Sequence, residues 1–165
     1  MKKILACLIV AFCALNASES SVSAISTKSI ELYESPSCGC CEFWAKYMQK
    51  NGYKINSHKS WDFMQVKEKF GIKDEFMSCH TGIIEVKGKK FALEGHLPLS
   101  AIEWLIANAP KNVIGISAPG MPQGSPGMEQ GEFEEYPVVV LYKDGKAENL
   151  GIFKGDKLIK SEKIK

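Results

Sequence analysis

Between Ile30 and Met48 the hydrophobic period of the chain changes, and three cysteines stand at the change. SIELYES, Ser29 to Ser35, alternates apolar Ile30 and Leu32 with polar residues and stops at Pro36. A period of two over a short run marks a strand. From Cys41 onward Phe43 and Tyr47, then Trp44 and Met48, fall at i, i+4 spacing, and Gly52 supplies a left-handed stop, so a helix follows almost at once. The junction holds Cys38, Cys40 and Cys41 within four positions. A helix N-terminus points free N–H groups at whatever precedes it and favours negative charge there. Thiols so placed ionise more readily, and the thiolate is the form that attacks disulfides and binds metals. The pair Cys38 and Cys41, in C-x-x-C spacing, serves a redox dithiol and a metal clamp equally well. Cys40 separates the two readings. A third thiol gives a disulfide exchanger competing pairings, whereas it gives a metal site a further soft donor of the kind that selects Cu(I), zinc or iron–sulfur clusters.

The remaining pattern is regular as far as Pro110. YKINSHK reads as a second strand. SWDFMQVKEKFG reads as a second helix, with Ser60 as N-cap, Phe63, Val66 and Phe70 on one face and Gly71 past the end. CHTGIIEVKGKKFALEG is a hairpin, Cys79 to Val86 and Lys90 to Glu94 around a turn at Lys87 to Lys89. LPLSAIEWLIANAP is a third helix with Pro98 in its first turn, capping-box spacing at Ser100 and Glu103, and a buried stripe of Ile102, Leu105, Ile106 and Ala109. Trp44 and Trp104 fall on helix faces and belong to the core, while Trp61 starts a helix and is expected to be partly exposed. Beyond this lie a long loop, residues 117–135, with three prolines and four glycines, and a hairpin over 136–153 around Asp144-Gly145. Loops of that length are uncommon in compact domains and are often functional. Residues 154–165 read as a Lys-rich flexible tail.

Strand, helix, strand, helix, hairpin, helix is the thioredoxin-like order. The expected fold is α/β: a parallel βαβ unit, then an antiparallel hairpin, forming a mixed sheet with flanking helices plus an extra C-terminal β-hairpin, all within residues 25–153. In that topology the residues entering the third strand face the C-x-x-C loop. Thioredoxins usually carry a cis-proline there; this chain has Cys79-His80. Four sulfurs and one imidazole are thus expected to converge.

The first 24 residues read as a secretory signal: a basic MKK, an apolar ILACLIVAFCAL and a small-residue VSA cleavage site. The apolar run is short for a membrane span, which needs about 20 residues, so no stable membrane insertion is expected after cleavage. Removing 24 residues from 165 leaves 141, enough for one domain with a sizeable core. Two of the six cysteines go with the signal, leaving Cys38, Cys40, Cys41 and Cys79. Structural disulfides are the ordinary use of an even number in an exported chain, but three within four positions argue against a purely structural role. All 21 basic residues are lysines. Arginine is the preferred reader of phosphates and guanine edges, and there is no basic stripe with interleaved aromatics, so a nucleic-acid partner is set aside.

SPSCGCCEFWAKYMQKNGY, SCHTGIIE, EGHLP and PGMPQGSPGME occur in the same order in the family of small periplasmic proteins that includes the CopG-type copper-resistance proteins. The chain resembles that family over roughly Ile30 to Tyr142. The resemblance implies a thioredoxin-like fold, a periplasmic location and copper handling. It further implies that Cys38, Cys40, Cys41, Cys79 and His80 bind copper, as several Cu(I) ions sharing thiolates. Three roles stay open for such a cluster: a store, a relay to other periplasmic copper-handling proteins, or a redox centre passing copper between Cu(I) and Cu(II). Donor type alone does not separate zinc from copper, and the resemblance tips the choice to copper. His96 in EGHLP is a candidate outer ligand or hydrogen-bond donor, against a surface or capping role. Met121 and Met128 are weighed as thioether donors against apolar plugs, and His58 as an ordinary surface residue. The alternative function is a periplasmic thiol–disulfide oxidoreductase using Cys38 and Cys41. Whether the protein turns over as an enzyme is left open.

Overall fold

A computed structural model describes residues 28–108 and 110–162. The elements are β1 (Ser29–Glu34), α1 (Gly39–Lys50), β2 (Lys54–Lys59), α2 (Met64–Phe70), a 3-10 turn (Asp74–Phe76), β3 (His80–Val86), β4 (Lys89–Glu94), α3 (Leu99–Asn108), β5 (Val113–Ser117), β6 (Glu135–Tyr142), β7 (Ala147–Lys154) and β8 (Lys157–Ser161). The strands form one mixed sheet in the order β2-β1-β3-β4-β5-β6-β7-β8. The pairs β1/β2 and β4/β5 are parallel and the other five are antiparallel. Through α3 the order of elements is the one read from the sequence. Among the described residues no helix is long and apolar enough to cross a membrane. The signal-peptide reading of residues 1–24 and the stripe residue Ala109 lie outside the described residues.

Two element starts and two strands differ from expectation. Helix α2 starts at Met64 rather than beside Ser60. The Ser60 hydroxyl accepts the Asp62 N–H at 3.1 Å, so it closes a turn ahead of the helix. Strand β3 starts at His80, leaving Cys79 outside its ladder. Strand β5 was not anticipated. It is short, is buried on both sides and so shows no alternation, and its register shifts near Gly115, where a Cβ would stand 2.1 Å from the Ala92 carbonyl oxygen. The C-terminal hairpin is therefore not an appendage: β5 joins it to the main sheet. The Lys-rich tail, expected to be frayed, carries β8, an edge strand antiparallel to β7 with all five residues exposed.

Both faces of the central strands are covered. Trp44 and Met48 of α1 and Ile102 and Leu105 of α3 pack with Ile30, Leu32, Phe91, Leu93, Ile116, Val138 and Val140 in the larger core. The interleaved residues Ala92, Val139 and Leu141 point the other way, toward Phe70, Ile72 and Phe76. Burial of each large side chain contributes about 1.5–3 kcal/mol. Trp44 is fully buried and its indole N–H donates to the Leu97 carbonyl at 3.0 Å, tying α1 to the turn before α3. Glu34 at the end of β1 pairs with His80 at the start of β3, and Thr81 pairs with Glu94 at the end of β4. Glu94 in turn pairs with Ser117 at the end of β5. One end of the sheet therefore gathers the N-terminus of α1, the entry to β3, the β4–α3 turn and the start of the long loop.

Candidate metal centre

Cys38 is the last residue before α1, extended in backbone and held by a hydrogen bond from its N–H to the Ser35 carbonyl at 3.1 Å. Cys40 and Cys41 lie in the first turn of the helix, whose N-terminal partial charge acts on all three sulfurs. Cys41 is fully buried; Cys38, Cys40 and Cys79 are half-buried. Cys38 and Cys41 are joined as a disulfide, and Cys40 and Cys79 are free thiols. The Cys79 Sγ lies 3.5 Å from Cys41 Sγ and 3.9 Å from Cys40 Sγ, and Cys40 Sγ lies 3.6 Å from Cys38 Sγ. The four sulfurs all fall within 4.8 Å of one another.

Two imidazoles meet the same sulfur from the other side. His80 Nδ1 is 3.4 Å and His96 Nε2 is 3.1 Å from Cys79 Sγ, and these three atoms form a second group within 4.8 Å. The His96 Nδ1–H donates to the Pro126 carbonyl at 2.8 Å. A carbonyl only accepts, so His96 carries its proton on Nδ1 and turns a bare Nε2 toward the thiol. His80 is fully buried against Trp44, ring centroids 4.7 Å apart, and against His96, 4.9 Å apart. Its Nε2 is buried without a hydrogen-bond partner. An unpartnered buried nitrogen costs about 1–3 kcal/mol, and it is the nitrogen opposite the one that faces Cys79.

Burial sets the protonation states. It holds His80 well below the usual imidazole range, with the neighbouring His96 and the Lys67 charge acting in the same direction. Burial also lowers His96. Both rings are therefore neutral near pH 7, which is the ligating form. Burial pushes the Cys79 thiol up to about 12, the nearby Cys40 adding to the rise while Ser78 and the Lys67 charge oppose it. A thiol so disfavoured as an anion needs a cation beside it to become thiolate. A soft cation among these sulfurs would answer this thiol, with His80 Nδ1 and His96 Nε2 as the nitrogens that face it.

All five residues read from the sequence, Cys38, Cys40, Cys41, Cys79 and His80, are brought together. His96, weighed only as an outer candidate, stands nearer to Cys79 Sγ than His80 does. Nothing in EGHLP announces that nearness, because it depends on the β4–α3 turn falling beside the entry to β3. The long loop covers the centre: Pro126 holds His96, and Gly127 lies where a Cβ would be 2.6 Å from the Trp44 N and 3.1 Å from the Cys40 carbonyl oxygen. Gly120 of the same loop bridges to Ser78 and donates its N–H to the Met77 carbonyl at 3.0 Å. Met121 is exposed and Met128 half-buried. His58 stays apart on the surface, stacked on Tyr33 and bonded to Glu31 at 2.6 Å.

A protein-family model described as a protein of unknown function, DUF411, matches residues 76–128, the stretch from the Cys79-His80 entry through His96 to the loop. No curated protein matches the chain. Two solved structures do. One, titled copper resistance protein copG, form 2, is 36% identical, covers 76% of this chain and 97% of its own, and superposes with a TM-score of 0.68. The other, form 1 of copper resistance protein copG, is 37% identical, covers 77% of this chain and 98% of its own, and gives 0.68 as well. With more than a third of positions identical over nearly the full length of those structures, the chain belongs to the CopG family of copper-resistance proteins.

Proposed function

We propose that this protein is a periplasmic copper-binding protein of copper resistance, exported by residues 1–24 and built on a thioredoxin-like half, β1 to α3. In this reading it holds Cu(I) in a multinuclear site of the Cys38, Cys40, Cys41 and Cys79 thiolates with His80. The observation that carries the reading is the position of Cys79, whose sulfur belongs to both an all-sulfur donor group and a sulfur–imidazole group. A thiolate shared by two donor groups bridges two ions. His96, with its bare Nε2, is the natural added ligand on the imidazole side.

The chemistry follows from the donors. Two electrons and two protons open the Cys38–Cys41 disulfide to two thiols, supplied by a dithiol reductant. Cu(I) then displaces the thiol protons, so binding releases protons to solvent. Sulfur and neutral nitrogen in a water-poor pocket favour Cu(I) over Cu(II). Copper could pass onward to other copper-handling proteins by exchange at the half-buried Cys38 and Cys40. The test is metal content after anaerobic loading of the reduced mature protein with Cu(I) and zinc in competition. More than one copper per chain is expected to survive desalting, and Cys79→Ser is expected to lose most of it. Wild-type copper content in Cys79→Ser would remove the bridging role; zinc retained in place of copper would change the metal.

A second reading, thiol–disulfide exchange at Cys38 and Cys41, is favoured by the disulfide itself and by the Cys79 sulfur 3.5 Å from Cys41. It predicts catalytic disulfide reduction that survives Cys40→Ser.

A further inference from the structure

Beneath the cluster, on the α2 side of the sheet, lies an ion pair that the copper reading does not use. Lys67 of α2 and Glu94 of β4 are both fully buried, with Nζ 2.5 Å from Oε1. Lys67 also donates to the Thr81 hydroxyl at 3.0 Å. Glu94 Oε1 accepts the Ser78 N–H at 2.7 Å, and Oε2 accepts the Thr81 hydroxyl at 2.6 Å. One carboxylate thus grips the residue before Cys79 and the residue after His80.

Stability is a poor explanation for this pair. Replacing a buried ion pair with apolar side chains of similar volume is often neutral or stabilising. Placement explains it better. Cys79 stands outside the β3 ladder, so strand pairing does not fix its sulfur. The Ser78 N–H has Glu94 as its partner, and without that bond the backbone of Ser78 keeps its bridge to Gly120 while Cys79 keeps its side-chain contacts with the other cysteines and the imidazoles. Lys67 Nζ meets both Glu94 Oε1 and the Thr81 hydroxyl, so it ties the carboxylate to the same strand that the carboxylate grips.

We propose that Glu94 and Lys67 are positioning residues of the metal centre: Glu94 clamps Ser78 and Thr81 so that the Cys79 thiol and the His80 imidazole meet the Cys38–Cys41 loop, and Lys67 supplies the counter-charge that keeps Glu94 in place. The proposal rests on the copper-binding reading for its metal test and on geometry alone for its second test.

Two neutral double variants separate clamp from charge. Lys67→Met/Glu94→Gln keeps a carbonyl oxygen for the Ser78 N–H and an amide for Thr81. Lys67→Met/Glu94→Leu keeps the volume and removes the clamp. Both are expected to fold, read by circular dichroism and thermal midpoint. The Leu variant is expected to lose about tenfold or more in Cu(I) affinity, measured by chelator competition, with a weakened Cu(I)–thiolate absorption. The Gln variant is expected to stay near wild type in both. Wild-type affinity and absorption in the Leu variant overturn the proposal.

The metal-free test uses residues 25–165 with Cys38→Ser and Cys41→Ser, in which Cys40 and Cys79 are the remaining cysteines, their sulfurs 3.9 Å apart. In a glutathione redox buffer the Leu variant is expected to form that disulfide several times more slowly than the Gln variant. Equal rates overturn the clamp whatever the metal does. Failure of the wild-type chain to retain copper overturns the functional reading instead and leaves the pairing rates to decide the clamp. If the Leu variant does not fold, Thr81→Val removes one of the two grips with little change of shape; no change in either assay overturns the proposal.

Discussion

The two imidazoles of the centre are buried as neutral rings, and this couples the metal-free protein to acid. An unfolded imidazole protonates near 6.5. In the folded chain His80 lies well below that value and His96 below it, both chiefly through burial. Between the unfolded value and the lower folded values the unfolded state binds more protons, so stability is present above about pH 6.5 and is lost as pH falls beneath it. Each ring contributes a slope of up to about 1.4 kcal/mol per pH unit in that window. Urea midpoints of the reduced, metal-free protein between pH 7 and pH 5 are expected to fall, and His80→Phe is expected to flatten the fall by about half. An unchanged slope in His80→Phe would mean that His80 does not titrate on unfolding. At this scale the donors were legible because soft side chains announce themselves by type and spacing. The nearness of His96 to Cys79 was not legible, since it depends on two turns meeting at one end of the sheet. Nor was the Lys67–Glu94 clamp, because a lysine in a helix and a glutamate ending a strand are ordinarily solvated.

At the scale of elements, the loop between β5 and β6 acts as a cover over the centre. Its composition marked it as long and irregular, but not as packed. What packs it is Gly127, with φ +85°, seated against the first turn of α1, and Pro126, whose carbonyl holds His96. Gly131, with φ +88°, shares the backbone conformation but has nothing within 4 Å of a Cβ position. The two glycines therefore isolate crowding from backbone strain. Gly131→Ala is expected to cost about 1–2 kcal/mol from left-handed strain alone. Gly127→Ala adds a clash with the Trp44 and Cys40 backbone and is expected to cost about 3–5 kcal/mol in urea unfolding, within the range of the most damaging single substitutions. It should also loosen His96 and lower Cu(I) retention, which Gly131→Ala should leave alone. Equal costs at the two sites would mean that the loop does not seat on α1. The strands up to β4 were legible from alternation and turn residues. Strand β5 was not, because burial on both faces erases the alternation, and β8 was not, because five exposed residues including two lysines carry no core-facing pattern.

For the whole molecule, the proposed copper site would be conditional on redox state through the disulfide. With Cys38 and Cys41 joined, two of the four sulfurs are unavailable as thiolates, and Cys40 and Cys79 remain with the imidazoles. A ligand that binds only the reduced native form stabilises it by mass action, about 2.7 kcal/mol at a free concentration one hundred times Kd. For a domain of this size each kcal/mol moves the midpoint by a few degrees, so the rise is on the order of 8 °C. The reduced chain, heated anaerobically with buffered Cu(I), is expected to show that rise. The chain oxidised at Cys38–Cys41 is expected to show little of it, and reduced Cys40→Ser an intermediate rise. An equal rise in the oxidised chain would place the metal away from Cys38 and Cys41, on donors that the disulfide does not consume. A rise confined to the reduced chain ties capture of copper to prior reduction, so that the same two cysteines set both the redox state and the capacity of the protein.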